Sequence, residues 1–230
     1  MEDEGTLFAL FQSNLTTKED IVEYLDQRYF LHAGREEIAR LVDLYDDIEE
    51  NGSPFRTGLE NNWYPQFKRL SAILGDLVFT ITRRLTLHVA VEFGWTAPFW
   101  SYMNSYYYGL PILGSTHGLD LIAVYYGLAP GYATRAWRQY YINFVNNLDP
   151  NDGGVYGDVS YWPEWKEDQT IIQMHPDRSE VIKDNFRQPV SSLLPSLGSL
   201  SLTQRRFLTI CLIMLIASTS ELEVVDGVEH

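Results

Sequence analysis

Cysteine is almost absent from this chain. Cys211 is the only one in 230 residues, so no intrachain disulfide can form. Basic residues are also scarce: 17 Lys and Arg stand against 31 Asp and Glu, a net charge of −14. An acidic surface repels a phosphate backbone, which excludes nucleic acid as an expected partner. No apolar run is long enough for a membrane span, which needs about 20 residues. The longest, Phe207 to Ala217, falls well short. Met1 is followed at once by Glu2-Asp3-Glu4, with neither the basic region nor the apolar stretch of a signal peptide. No spacing of His, Cys, Asp and Glu suits a metal, and no glycine-rich loop suits a nucleotide. The sequence therefore implies no metal and no cofactor. A G-x-S-x-G turn, the usual seat of a serine nucleophile, is missing as well.

What is present suits one domain or a large piece of one. Hydrophobic residues make up 45% and charged residues 21%, ordinary values for a globular chain. Aromatic content is high at 14%, and among the 15 tyrosines a cluster lies at Tyr102, Tyr106, Tyr107, Tyr108, Tyr125, Tyr126, Tyr140 and Tyr141. These rings read as core material, with a minority available to line an apolar pocket. Two glycosylation sequons, Asn14-Leu15-Thr16 and Asn51-Gly52-Ser53, lie in polar, turn-like stretches.

Helical signals dominate the first half. Thr16 or Thr17 can cap a helix, with Glu19 or Asp20 three residues on, and Ile21 and Leu25 then share a face. After Gly34, the spacing of Ile38, Leu41, Val42 and Tyr45 predicts a second helix. Asn51-Gly52-Ser53-Pro54 reads as a turn. From Pro65, the stripe Phe67, Leu70, Leu74, Leu77 and Ile81 predicts a long helix running toward Arg83-Arg84, with a break near Gly75.

Phe99 to Tyr106 is aromatic and suits a strand. Trp137, Tyr140, Tyr141, Phe144, Val145 and Leu148 predict the clearest amphipathic helix, ended by Asp149-Pro150-Asn151. Ile171 to Met174 is expected as a short edge strand. His32, His88, His175 and His230 show no converging partners in sequence.

Two residues stand out chemically. Glu4 sits in Asp3-Glu4-Gly5-Thr6, and His117 sits in Gly114-Ser115-Thr116-His117-Gly118-Leu119-Asp120. An acid followed far downstream by a histidine in a glycine-flanked loop has the order of the second half of a Ser…Glu…His triad. Imidazole suits proton transfer near neutrality, and a carboxylate fixes its tautomer and stabilises the imidazolium that forms. Gly114 and Gly118 leave backbone freedom around the histidine. Glu2 or Asp3 can replace Glu4 if the terminus shifts. Asp120 is an alternative partner for His117, or else a helix-start carboxylate.

Several segments, in this order, resemble the type-B carboxylesterase/lipase family of α/β hydrolases, and among them fungal lipases of the Candida rugosa type. Asp3-Glu4-Gly5-Thr6 is similar to the family's triad-acid segment, and Gly114 to Leu121 to its triad-histidine segment. Gly52-Ser53-Pro54-Phe55, Pro65-Gln66-Phe67-Lys68-Arg69 and Leu74-Gly75-Asp76 are similar to the stretch between. Asn146 to Asn151, Trp162-Pro163-Glu164-Trp165 and Lys183-Asp184-Asn185-Phe186-Arg187 resemble its closing segments. The resemblance runs from about the first residue to Arg187.

That resemblance implies the C-terminal portion of an α/β-hydrolase fold, mostly helical with few strands, keeping about one central strand plus edge pieces. Residues 1–189 are expected to form this part and residues 190–230 a divergent, poorly ordered tail. It implies a carboxylic-ester hydrolase in which Glu4 is the triad acid and His117 the general base. The serine and the oxyanion hole would belong to a missing N-terminal part, leaving the chain inactive alone. The parent's partner would be an ester or lipid substrate, and its location extracellular. The competing reading is a catalytically silent interaction protein on an α/β-hydrolase-derived fold.

Overall fold

The protein is described by a computed structural model covering residues 5–52, 54–107, 110–126, 130–153, 157 and 159–187. Glu4, the tail 190–230 and the apolar run Phe207 to Ala217 lie outside the described residues.

The first half is helical. After the short α1 (Thr6–Ala9) comes α2 (Lys18–Arg28), whose N-cap is Thr17. The Thr17 side chain accepts from the Asp20 N–H, while the Asp20 carboxylate accepts from the Thr17 N–H, a reciprocal capping box. Helix α3 (Arg35–Asp43) follows Gly34. The stripe of Ile38, Leu41, Val42 and Tyr45 is buried, as its helical spacing requires.

The long helix predicted after Pro65 is present as one run. It comprises α4 (Phe67–Gly75), a π-helical turn (Asp76–Thr80) and α5 (Ile81–Glu92). All nine residues of α4 are buried, Lys68 and Arg69 among them. Both cations reach carbonyls: Lys68 Nζ donates to Gly58 O, and Arg69 donates twice to Val42 O. The expected break near Gly75 is the change from α to π hydrogen bonding, not an end of the helix. Helices α1 to α4 share one apolar core, which includes Ala9, Ile21, Leu25, Ile38, Leu41, Phe67, Leu70 and Ile73.

The second half adds a small mixed sheet. Strand β1 (Tyr102–Asn104) pairs parallel with β2 (Thr170–Met174), and β2 pairs antiparallel with β3 (Ser179–Lys183). The register places Tyr102 opposite Ile172, and Ile172 opposite Val181. The few strands expected are three among the described residues, one central and two at the edges. One expectation is corrected: Ile171 to Met174 is the central strand rather than an edge strand. Its apolar run belongs there, because Ile171, Ile172 and Met174 are fully buried.

Between β1 and β2 lie α6 (Leu119–Leu121), a second π turn (Ile122–Tyr126), α7 (Tyr132–Asn147) and α8 (Trp165–Asp168). Trp137 and Tyr140 of α7 pack with Tyr102 and Trp162 in edge-to-face contacts, the centre of a second core. Tyr141 of the predicted α7 stripe also packs against that core, and the last three residues of the stripe turn away from it. Phe144, Val145 and Leu148 face outward, Val145 at 76% exposure. The buried face instead recruits Ala133, Ala136 and Asn143, the last donating to Pro150 O. Small and polar residues thus line the close approach that bulky apolar ones were expected to fill.

The two halves are tied by a buried ion cluster. Asp184 accepts from both guanidiniums of Arg83 and Arg84 on α5, at 2.7 and 3.0 Å on one oxygen, and from the Trp165 indole at 2.9 Å. Its side chain is fully buried.

Candidate active site

The histidine loop departs from regular backbone at several points. Gly114 and Gly118 both have positive φ, at 56° and 83°, the left-handed conformation glycine adopts without a Cβ clash. Ile112 adopts φ 64° too, which is costly for a β-branched side chain. Its N–H donates to the Asn61 side chain at 2.8 Å, which fixes that residue in place. Gly118 then caps α6, and the π turn Ile122–Tyr126 comes directly after it. Strained and irregular backbone persists only where surrounding contacts hold it, and it gathers at functional sites.

His117 itself is exposed. Its imidazole stacks on the Phe79 ring, with centroids 4.5 Å apart and planes 24° from parallel. Phe79 belongs to the first π turn, and the second follows the histidine loop in the chain after α6. The two residues before His117 are buried hydroxyls. Ser115 Oγ and Thr116 Oγ1 have no hydrogen-bond partner among the described residues. A buried hydroxyl without a partner carries its full desolvation cost, so these two are open to a group the described residues do not supply.

Glu4 lies outside the described residues, but the segment that follows it reaches the histidine loop. Thr6 Oγ1 donates to Leu113 O at 2.8 Å, joining residues far apart in the chain. Phe8 of α1 meets Phe79 with ring centroids 5.6 Å apart. The start of the chain and the histidine loop thus share one neighbourhood, with Phe79 touching both.

Asp120, the alternative partner for His117, is engaged elsewhere. It stands in the first turn of α6 and accepts from Tyr102 Oη at 2.6 Å. Burial, reinforced by the Asp120 charge, holds the Tyr102 phenol well above its ordinary range, so it stays a donor to that carboxylate. The other described histidines sit away from this loop. His88 packs edge-on against Trp165, and His32 is exposed. His175, expected to have no partner, bonds Glu180 at 2.8 Å across the β2–β3 hairpin. Hairpin register creates that pair, which sequence spacing alone did not reveal. His230 lies outside the described residues.

Sequence reasoning singled out His117 and missed its neighbours. Phe79 gave no signal beyond its place near a long apolar stripe. Thr6 stood in the triad-acid segment without a role of its own. Among the described residues, no three His, Cys, Asp or Glu side chains gather as metal ligands would.

No family model matches the chain. Individual relatives do. A secreted triacylglycerol lipase of Gibberella zeae is 50% identical over 188 residues, covering 81% of this chain and 32% of that protein. A secreted lipase of Botryotinia fuckeliana is 46% identical over 186 residues, with coverages of 81% and 32%. Lipase 2 of Diutina rugosa is 38% identical over 196 residues, with coverages of 84% and 34%. The chain thus spans about a third of the length of these relatives. Among solved structures, EstA of Aspergillus niger superposes with a TM-score of 0.65 at 16% identity, covering 85% of this chain and 38% of EstA. That likeness concerns the fold alone, and it makes the helices and three-stranded sheet part of an α/β-hydrolase fold.

Proposed function

We propose, from the premise that this chain is homologous to a C-terminal part of the fungal secreted lipases, that it carries the acid and base of a carboxylic-ester hydrolase. Glu4 is the acid and His117 the general base. The nucleophilic serine and the oxyanion hole come from residues beyond this chain, so the 230 residues alone do not turn over esters. Residues 1–189 form the part that contributes to catalysis, and residues 190–230 stand apart from it. The substrates are carboxylic esters, lipid esters among them, and the site of action is outside the cell.

The observation that carries this reading is the bond from Thr6 Oγ1 to Leu113 O. It joins the segment just after Glu4 to the segment just before His117, as a shared acid–base site requires. The division of labour follows from the chemistry. A carboxylate bonded to Nδ1–H fixes the imidazole tautomer and leaves Nε2 free to take a proton from a serine hydroxyl. His117 then returns that proton to the leaving alcohol. The exposure of His117 in this chain suits a base whose proton donor arrives on another segment.

A chimera tests this directly. The chain is joined to the upstream two-thirds of the Gibberella zeae lipase, and p-nitrophenyl ester hydrolysis is measured. The expected result is hydrolysis by the chimera and none above buffer by the chain alone. His117→Ala and Glu4→Gln in the chimera each reduce kcat/KM by about 10³-fold or more. Full activity in either variant contradicts the assignment. Stoichiometric labelling of the isolated chain by a serine-directed phosphonate contradicts the missing nucleophile.

A further inference from the structure

We infer that Phe79 is a positioning residue for the imidazole of His117, and that the π turn Asp76–Thr80 exists at that place to present it. The inference rests on the reading of His117 as general base. Nothing in the spacing of residues around Phe79 had pointed to such a role.

The geometry is specific. The planes of the two rings lie 24° apart at a centroid separation of 4.5 Å, a stacked contact rather than an edge contact. Both imidazole nitrogens lie in the ring plane, so a partner on the face occupies neither. A face-stacked ring limits tilt and rotation of the imidazole. It leaves Nδ1 free for a carboxylate and Nε2 free for a hydroxyl. A hydrogen-bonding side chain in the same place would compete for one of those nitrogens.

The helix is built to make this contact. From Phe67 to Leu77 every residue is buried, and the apolar stripe runs into the core. Within the π turn, Val78, Phe79 and Thr80 become half-buried. A π turn inserts one residue into the hydrogen-bonding ladder and so rotates the downstream residues relative to an unbroken α-helix. It carries the aromatic ring from the core stripe to the border where His117 stands. Phe8 supports the same ring from the segment that follows Glu4, with centroids 5.6 Å apart. One aromatic side chain therefore contacts both the acid's segment and the base.

The competing explanation is that Phe79 only fills an apolar gap. Nuclear magnetic resonance of the full 230-residue chain, labelled in histidine, separates the two. In the wild-type chain the His117 ring protons are shifted upfield by the Phe79 ring current and show contacts to the Phe79 ring protons. Phe79→Leu keeps an apolar side chain but removes the flat face. It is expected to abolish the upfield shift and to raise the mobility of the His117 ring on the nanosecond scale. Phe79→Tyr keeps the face and is expected to preserve both. Absence of Phe79–His117 contacts in the wild-type chain overturns the proposal without any variant having to fold. An unchanged ring mobility in a folded Phe79→Leu chain overturns it as well. Glu4→Gln separates the two claims, because it removes the proposed carboxylate and leaves both residues of the stack unaltered. A stack that holds His117 while Glu4→Gln leaves the imidazole tautomer unchanged sustains the placement of the ring by Phe79 but rejects the acid–base pair, and with it the catalytic reading on which a positioning role rests.

Discussion

Asp184 shows at single-residue scale how this chain holds its two halves together. Burial alone would raise its carboxyl. The Arg83 and Arg84 guanidiniums and the Trp165 indole outweigh that and hold it at about 2. An unfolded aspartate titrates near 4. The folded state therefore binds this proton less readily than the unfolded one. Its contribution to stability is complete above about pH 4 and is lost as pH falls through about 2. The amount is about 2 kcal/mol. Asp184→Asn leaves two buried guanidiniums without their counter-ion and is expected to cost about 3–5 kcal/mol at neutral pH. Urea unfolding at about pH 7 and about pH 2.5 checks both values. A loss below about 1 kcal/mol at neutral pH, or a variant whose deficit does not shrink in acid, contradicts them. His117 stood out as a candidate in the sequence because Gly114 and Gly118 lie on either side of it. Phe79 did not, because its contact forms across a long stretch of chain and depends on a π turn that no periodicity announces. Asp184 was visible only as a member of a motif. Its partners Arg83 and Arg84 lie about 100 positions away, on α5.

Among the elements, local chemistry predicted the start of α2, and helical spacing predicted the buried faces of α3 and α4. The Thr17 capping box is complete, so Thr17→Ala is expected to destabilise the chain by about 1 kcal/mol. Thr16→Ala is expected to change little, since Thr17 supplies the cap. Thermal unfolding of the two variants decides between them, and equal losses contradict the assignment. The α7 stripe was half right. Trp137 and Tyr140 are core residues, whereas Phe144, Val145 and Leu148 point outward. Helical periodicity fixes which residues share a face but not where along the helix the partner ends. The position of β2 in the centre of the sheet was hidden for a related reason. Its antiparallel neighbour β3 carries the polar pattern Ser179-Glu180-Val181-Ile182-Lys183, which does not announce a strand by alternation.

Across the molecule, the relatives' lengths and the exposed surface agree. The chain spans about a third of its lipase relatives. Leu7, Phe8 and Phe11 are exposed on or just after α1, close to the stack that holds His117, and Phe11 is 77% exposed. Soluble chains rarely leave such clusters uncovered without an interaction to serve. Among the described residues no helix is long and apolar enough to cross a membrane. The catalytic reading therefore turns on whether the carboxylate near the start of the chain and the imidazole of the loop form a pair. Nitrogen-15 spectra of histidine-labelled chain report which ring nitrogen of His117 carries the proton. In the wild-type chain at a pH where the ring is neutral, the proton is expected on Nδ1, held there by Glu4. In Glu4→Gln that preference should fall to the mixture of tautomers found for free histidine. The same mixture in both chains would contradict the pairing and, with it, the catalytic reading of the site.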